Sequence, residues 1–208
     1  MGLGNRFFQY GEVEVNYLKK KDKKLGVAME RIGMIRREVN PDLFSALVYS
    51  IIGQQISTKA VQTIWQRMCD GIGEIRPESI LSCEAEELQS YGMSFRKVAY
   101  IQGTAKRVVD GSLDIEGLRE KGDEEVYEEL VEIPGIGRWT AEMLMLFSME
   151  RPDVLSYGDL GIINGLKILY GHKEVGKERF ERYRRRYSPY GSVASLYLWA
   201  IAGGGLEG

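Results

Sequence analysis

Residues 130–141, Leu-Val-Glu-Ile-Pro-Gly-Ile-Gly-Arg-Trp-Thr-Ala, are the most informative stretch of this 208-residue chain. Hydrophobic residues flank a short turn that contains Gly135 and Gly137, which predicts two helices joined by a hairpin over about 124–149. Glycines let the backbone turn sharply and approach a ligand closely. Amides at the start of the second helix, near Arg138, would form an anion site that suits a phosphate. A plain pair of packed helices with a glycine turn is the alternative interpretation.

Helical periodicity continues on both sides of this hairpin, so we predict an all-α fold. Between Leu43 and Met68, apolar residues recur at the spacing of buried helix faces, and Gly53 predicts a bend in the run. Helix starts are expected at Pro41-Asp42 and at Pro77. The residues expected to face the core in this run are Leu47, Ile51, Ile52, Ile56, Val61, Ile64 and Met68.

Further helices are predicted over 95–110, 123–132, 138–149, 159–170, 175–187 and 192–202. Only residues 11–17 alternate in the manner of a strand, and that segment is too short to found a sheet. The N-terminal segment 7–17 is expected to pack back on one helical lobe.

The composition excludes several classes of protein. No apolar stretch is long enough to span a bilayer and the N-terminus lacks a secretory signal, so we expect a cytoplasmic protein without a membrane partner. Two cysteines and one histidine are too few for an iron–sulfur cluster or a His-rich metal centre. The chain is therefore expected to work without a cofactor of either kind.

The charge balance does not by itself indicate a nucleic-acid-binding protein, because the net charge is −2. Two basic stretches, Lys19–Lys24 and Lys177–Arg186, could meet phosphates, but solvated helix faces explain each at least as well. Backbone amides at the hairpin would let a slightly acidic protein hold DNA. The single histidine, His172, is expected to be a surface cap at a helix C-terminus, where cations are favoured.

Three segments resemble the helix-hairpin-helix DNA glycosylase superfamily, and most closely its 3-methyladenine DNA glycosylase II branch. These segments are the hairpin 130–141, Gly53-Gln54-Gln55-Ile56-Ser57, and 91–97 with the sequence YGMSFRK. The resemblance covers roughly 42–202 and implies one glycosylase unit over 1–208, built from two interleaved helical lobes with the active site in the cleft between them. It also implies a monomer whose partner is double-stranded DNA containing a damaged base.

The same resemblance implies base removal without strand cleavage. In the lyase-active branches a lysine that forms a Schiff base follows the Gly-Arg pair of the hairpin, whereas this chain has Trp139 there. We therefore expect a monofunctional glycosylase that flips out and hydrolytically excises alkylated purines such as 3-methyladenine. The alternatives are a damage-binding protein of the same fold, a glycosylase for another lesion, and a hairpin domain that only binds DNA non-specifically.

The resemblance places the catalytic carboxylate at Asp159, twenty residues beyond Trp139. Aspartate is a preferred helix N-cap, and an ionised carboxylate can stabilise an oxocarbenium-like sugar or orient the attacking water. A purely structural N-cap is the alternative, but the hairpin at the expected distance favours catalysis. Asp153, beside Pro152 in a predicted exposed loop, is the second candidate.

The resemblance assigns the base pocket to Trp139 and Trp199, although Trp199 is equally compatible with a core helix. Tyr157 is a further candidate because it lies close to the catalytic aspartate. Met143 stands where an aromatic residue could line the pocket, which is a departure from the family pattern. Trp65 matches no ligand position and is expected in the core.

Gln55, together with Gln54, matches the wedge that fills the gap left by a flipped nucleotide. Gln55 departs from the leucine that the alkyl-base branch can use there. The hairpin residues expected to contact a DNA phosphate are Gly135, Ile136, Gly137, Arg138 and Thr140. The resemblance also allows a structural Na⁺ or K⁺ held by backbone carbonyls near Val131, Ile133 and Ile136.

Overall fold

The structure is a computed structural model that describes residues 6–206, and within this range the fold is helical, as predicted. Its helices are α1 (Glu12–Lys21), α2 (Lys23–Ile32), α3 (Leu43–Gly53), α4 (Thr58–Ile72), α5 (Pro77–Leu81), α6 (Ala85–Ser90), α7 (Phe95–Val109), α8 (Asp123–Val131), α9 (Arg138–Phe147), α10 (Leu160–Tyr170), α11 (Lys177–Tyr187) and α12 (Gly191–Ala202). A short 3₁₀ helix covers Gly117–Glu120. Across 6–206 the extended pairing is limited to one isolated antiparallel bridge between Phe7 and Glu38.

Polar side chains start several of these helices at the predicted places. The carboxylate of Asp42 accepts the amide of Ser45 at 3.0 Å at the start of α3. Ser94 caps α7 through the amide of Lys97 at 3.4 Å, and Pro77 opens α5. Each cap satisfies an amide that has no carbonyl partner within its helix, so these starts are encoded locally.

The predicted helical run from Leu43 to Met68 is broken rather than bent. Helix α3 ends at Gly53 and α4 begins only at Thr58, with a tight turn at 54–57 between them. Ile56 was expected to face the core but is 38% exposed, because it lies in this turn and not on a helix face. Of the predicted core residues on the helices, Leu47, Ile51, Ile52 and Met68 are fully buried and Val61 is buried, whereas Ile64 is only half-buried.

The segment 11–17, which alternates like a strand in sequence, belongs to helix α1. The amide of Gly11 donates to Glu14 Oε2 at 2.8 Å at the start of that helix, and Leu18 is fully buried near its end. Val13 is 69% exposed, so α1 lacks the broad apolar stripe that marks a helix in sequence. Tertiary packing of a few residues therefore specifies α1, which the pattern analysis missed.

The chain divides into two compact units. Unit 1 comprises the described residues of Met1–Val39 and Met145–Gly208, and unit 2 is Asn40–Leu144. In unit 1, α10 packs on α12, and α2 contacts both. In unit 2, α7 packs against α3, α5 and α6. The boundary between the units falls within α9.

The N-terminal segment packs on its own unit, as predicted. Phe8 is buried and its amide donates to the carbonyl of Arg37 at 2.8 Å. The hydroxyl of Tyr17 donates to the carbonyl of Ser188 at 2.6 Å. Across residues 6–206, the helices are all too short or too polar to cross a membrane.

Two predicted positions outside the site differ in environment. Trp65 is half-buried and packs edge-on against Tyr49, with ring centroids 5.2 Å apart. His172 is half-buried, stacks on Tyr170, and places Nε2 2.7 Å from the hydroxyl of Tyr183. Burial lowers the pKa of His172, and nearby cations lower it further. Its amide donates to the carbonyl of Lys167 at 3.0 Å at the end of α10, so it lies at the predicted helix terminus but is half-buried instead of on the surface.

Candidate active site

Asp159 is a buried carboxylate at the N-terminus of α10. Its side chain is 7% exposed, and Oδ1 accepts the amide of Ile162 at 2.9 Å. The backbone around Asp159 is extended (φ −90°, ψ 112°), as expected for an N-cap residue. The positive end of the helix dipole complements the negative charge of the carboxylate. The local sequence thus fixes where this group lies, and the predicted N-cap is confirmed.

A second donor on the same oxygen comes from α12. Trp199 Nε1 donates to Asp159 Oδ1 at 2.8 Å, although the two residues are 40 positions apart. This contact depends on Gly161, because a Cβ there would lie 2.6 Å from Trp199 Cδ1 and 3.1 Å from Asp159 Oδ1. The Ile162 amide and the Trp199 indole therefore hold the carboxylate in one orientation, and Gly161 leaves room for the indole.

The indole of Trp199 is itself packed on one face. The Phe147 ring stacks against it with centroids 5.6 Å apart and planes 26° apart. The Arg37 guanidinium lies over the Phe147 ring at 4.9 Å. Such a layer locks the orientation of the indole and, through it, of Asp159.

The residues beside Asp159 present apolar surface to solvent. Tyr157 is 43% exposed and lies edge-on to Phe180, with centroids 5.2 Å apart. Leu160, the first residue of α10, is 77% exposed. An exposed aromatic ring and an exposed leucine on either side of a buried carboxylate are suited to contact a ligand that reaches Asp159.

Asp153, the second catalytic candidate, is engaged in building the fold. Its Oδ2 accepts the hydroxyl of Ser188 at 2.5 Å, and its Oδ1 accepts the amide of Gly191 at 2.9 Å. The second bond satisfies an amide at the start of α12. Its half-buried side chain also differs from the exposed loop position expected from sequence. These contacts favour a structural role for Asp153 and leave Asp159 as the candidate.

In unit 2, the predicted hairpin is formed by α8 and α9, within two residues of its expected limits. Gly135 has φ +91°, and a Cβ there would lie 2.6 Å from Tyr100 Cδ2, so a side chain is excluded on two grounds. The amide of Ile136 donates to the carbonyl of Ile133 at 2.9 Å, which closes the turn. The first bond of α9 runs from the amide of Ala141 to the carbonyl of Gly137 at 3.0 Å. The first amides of α9 precede this bond and can bind an anion.

The side chains predicted around the hairpin fall into two groups. Arg138 and Trp139 are exposed, and the Arg138 guanidinium lies over the ring of Tyr127 at 5.4 Å. Thr140 and Ile136 are buried, so these two can meet a phosphate only through their backbone. Met143 is also buried.

The predicted wedge lies in the turn 54–57. Gln55 is exposed with φ +58°, a conformation rare for a residue that carries a Cβ. The side chain of Gln54 turns inward instead, and its Nε2 donates to the carbonyl of Gly135 at 2.5 Å. The two neighbouring glutamines thus have different surroundings.

Two residues that build these sites were not predicted from the sequence. Gly161 makes room for the Trp199 indole, and Lys97 donates from Nζ to the carbonyls of Ile52 at 2.7 Å and Gln54 at 2.8 Å. Lys97 lies in the segment 91–97, which is part of the family resemblance. The sequence therefore marked this segment but did not indicate what Lys97 contacts.

Comparison with known proteins agrees with this architecture. A family model for HhH-GPD superfamily base excision DNA repair proteins matches residues 48–189. A DNA-3-methyladenine glycosidase structure from Bacillus halodurans has a TM-score of 0.87 at 38% identity and covers 97% of this chain and 94% of its own. The Schizosaccharomyces pombe 3-methyladenine DNA glycosylase, solved with abasic DNA, has a TM-score of 0.79 at 28% identity and covers 91% and 96%.

The Bacillus subtilis protein YfjP is 28% identical over 166 residues, which make up 76% of this chain, and the chain spans 58% of the length of YfjP. The family match includes all three segments on which the resemblance rested, together with Asp159. The solved relatives carry the name of the 3-methyladenine branch that those segments indicated. The chain therefore belongs to the HhH-GPD superfamily of base excision DNA repair proteins.

Proposed function

We propose that this protein is a DNA glycosylase that hydrolyses the N-glycosidic bond of an alkylated purine, such as 3-methyladenine, in double-stranded DNA. The observation that carries the proposal is the buried carboxylate of Asp159, held by two N–H donors at a helix N-terminus in a base excision repair fold. The names of the similar solved structures support the substrate class.

Asp159 would act on the charge that develops as the base leaves. The C1′–N bond breaks with its electron pair passing to the base, and the sugar gains oxocarbenium character. A carboxylate whose orientation is already fixed stabilises this positive charge without reorganising. Water then adds to C1′ and gives its proton to Asp159 or to solvent. A cationic alkylated base leaves as a neutral molecule, so this substrate class requires no separate general acid.

Aromatic side chains would hold the flipped base. Trp139 and Tyr157 are half exposed and offer ring surface for stacking. A positively charged alkylated purine gains cation–π attraction from such rings. Met143 in unit 2 and Trp199 in unit 1 are further candidates for contact with the base, and Trp199 also orients Asp159.

The hairpin sequence supports hydrolysis without strand cleavage. Trp139 occupies the position at which the lyase-active branches place their Schiff-base lysine, so we propose a monofunctional enzyme that leaves an intact abasic strand. We also propose that the chain acts as a monomer and needs no iron–sulfur cluster or other redox cofactor.

The hairpin and the turn 54–57 would bind DNA. We propose that the amides of Gly135, Ile136, Gly137, Arg138 and Thr140 bind a phosphate, and that Gln55 enters the gap left by the flipped nucleotide. We propose that carbonyls near Val131, Ile133 and Ile136 hold a monovalent cation. Val131 is the last residue of α8, at the negative end of its dipole, and the carbonyl of Ile133, which accepts the amide of Ile136, has a second lone pair. A Na⁺ or K⁺ bound there would neutralise charge beside the phosphate.

The test is base release from duplex DNA that contains 3-methyladenine or 7-methylguanine, comparing the natural protein with Asp159→Asn. Asparagine keeps an oxygen for the Ile162 amide but lacks the charge, and loss of a charge-stabilising group costs about 10²–10³-fold in rate. Asp153→Asn is the matched control, because it removes the other candidate carboxylate of unit 1. Strand nicking is scored before and after alkali.

Base release by the natural protein, nicks only after alkali, and a selective defect in Asp159→Asn would support the proposal. Full activity of Asp159→Asn would overturn the catalytic assignment. Tight binding to lesion-containing DNA without release of either base would favour a damage-binding protein. Release of a neutral lesion such as hypoxanthine, and of neither alkylated base, would favour a glycosylase for another lesion. Nicks before alkali would contradict the monofunctional mechanism.

A further inference from the structure

The turn 54–57 has a strained backbone and weak internal bonding. A φ of +58° at Gln55 costs a non-glycine residue about 1 kcal/mol. The hydrogen bonds of the turn are long, 3.4 Å from the Gln54 amide to the carbonyl of Ile51 and 3.5 Å from the Ile56 amide to that of Gly53. Strained conformations persist only where the surroundings hold them. The shape of this turn is therefore determined by contacts from outside it.

Lys97 provides the first of these contacts, from α7. Its ammonium bridges the carbonyls of Ile52 and Gln54 at the C-terminal end of α3, where carbonyls lack partners within the helix and the dipole attracts a cation. Lys97 is half-buried, which lowers its pKa, and the charge of Arg96 lowers it further. Charge-assisted bonds of this length are stronger than bonds between neutral groups.

Gln54 provides the second contact. Its side-chain amide donates to the carbonyl of Gly135, which lies in the hairpin 81 residues further along the chain. Its backbone carbonyl accepts the bond from Lys97. One residue thus links α7, the turn and the hairpin through hydrogen bonds at both its backbone and its side chain.

We propose that Lys97 and Gln54 are positioning residues that hold the exposed Gln55 at a fixed place relative to the phosphate-binding hairpin. The inference rests on the proposed function in taking Gln55 as the residue that enters the base stack. It assigns Gln54 an anchoring role beside Gln55 instead of insertion. Segments 53–57, 91–97 and 130–141 each supply one part of this linkage.

The expected consequence falls on base extrusion and not on bond cleavage. Unstacking a paired nucleotide costs a few kcal/mol. A Gln55 side chain that is already held in position offsets this cost without a further loss of conformational entropy. A lesion that is already unstacked requires much less of this work. Loosening the turn should therefore slow the reaction on paired DNA and leave an unstacked lesion almost unaffected.

The test measures two quantities for Lys97→Met and Gln54→Ala. The first is single-turnover release of 3-methyladenine from a duplex in which the lesion is paired and from one in which it lies in a bulge. The second is the fluorescence of 2-aminopurine placed beside the lesion, which reports unstacking without requiring excision. Matched controls in unit 2 are Lys106→Met, an exposed lysine of the same helix, and Gln102→Ala, which loses a comparable 3.0 Å bond to the carbonyl of Cys83.

We expect both variants to lose about tenfold or more on paired DNA, together with most of the fluorescence increase, and to approach the natural rate on the bulge. Lys97→Arg retains donors for both carbonyls and should recover activity on paired DNA. Equal losses on both substrates, or no loss on paired DNA, would overturn the inference, as would a natural protein that produces no fluorescence increase. A fluorescence increase that both variants lose, without base release by the natural protein, would refute the proposed function and leave the positioning role supported.

Discussion

Trp199 Nε1 and Asp159 Oδ1 form a 2.8 Å hydrogen bond that links α12 to the N-terminus of α10. The indole proton and the Ile162 amide converge on the same carboxylate oxygen. Packing of Phe147 on the indole makes this donor rigid. The orientation of the Asp159 carboxylate therefore depends on Trp199, which the sequence alone places equally well in the base pocket or in a helical core.

Trp199→Phe should lower activity while preserving the fold. Phenylalanine keeps a ring against Phe147 but removes the N–H donor, and a bond to a charged group contributes about 1.5–3 kcal/mol. The single-turnover rate should fall about 10- to 100-fold on this basis. Trp65→Phe is the control, since Trp65 lies in unit 2 against Tyr49. An unchanged rate in Trp199→Phe would show that the bond does not contribute to catalysis.

Gly161→Ala should disrupt the same contact by steric means. The added Cβ would lie 2.6 Å from Trp199 Cδ1, so the indole must move away from Asp159. We expect a rate loss at least as large as that of Trp199→Phe. Gly103→Ala, on an exposed position of α7 with open space around it, should instead stabilise the protein by about 0.5–1 kcal/mol. Equal activity in the two alanine variants would contradict the steric argument.

Gly135→Ala should weaken DNA binding. Both the φ of +91° and the closeness of the Tyr100 ring oppose a side chain, so the turn must rearrange and its amides lose their arrangement. We expect a loss in affinity of about tenfold, which corresponds to about 1.4 kcal/mol, measured by fluorescence anisotropy on abasic duplex DNA at a stated salt concentration. Gly122→Ala, at the other end of α8 with nothing near its Cβ, is the control. Similar affinities for the two variants would argue against a phosphate site at the hairpin.

The stability of unit 1 should depend on the ionisation of Asp22. Burial raises the pKa of this carboxyl, but hydrogen bonds from Tyr170 and the Leu25 amide, together with Arg186, outweigh burial and leave the pKa below 3.8. The unfolded chain therefore takes up the proton first as the pH falls. The contribution of this group is complete well above pH 3.8 and is lost as the pH drops through the lower folded-state pKa.

Asp22→Asn tests this dependence. The variant should be less stable than the natural protein by about 2 kcal/mol at pH 7, because it loses charge-assisted bonds, and the difference should shrink in acid. Urea unfolding at several pH values between neutral and about 3 measures it. Glu30→Gln, an exposed residue paired with Lys19, should show little change at any pH. A difference that stays constant with pH would rule out the titration of Asp22 as the cause.

Much of this protein could be predicted from residues whose effect is local. Periodicity and caps indicated most of the helices, because an apolar stripe and an N-cap act within a few residues of the chain. The hairpin followed from Gly135 and its neighbours, and Asp159 from the family resemblance and its distance from the hairpin. Predictions failed where local signals were weak, as in α1, and where the chain turns against its apolar pattern, as at Ile56.

The sequence by itself determined the helical class and the hairpin, because neighbouring residues specify both, and the resemblance of three segments to a known family indicated the family and the candidate carboxylate. Only the tertiary structure decided which side chains hold these parts in place. The bonds from Trp199 to Asp159 and from Gln54 to Gly135 join residues 40 and 81 positions apart. Such contacts depend on how helices pack, and packing brings together residues whose spacing along the chain carries no periodic signal.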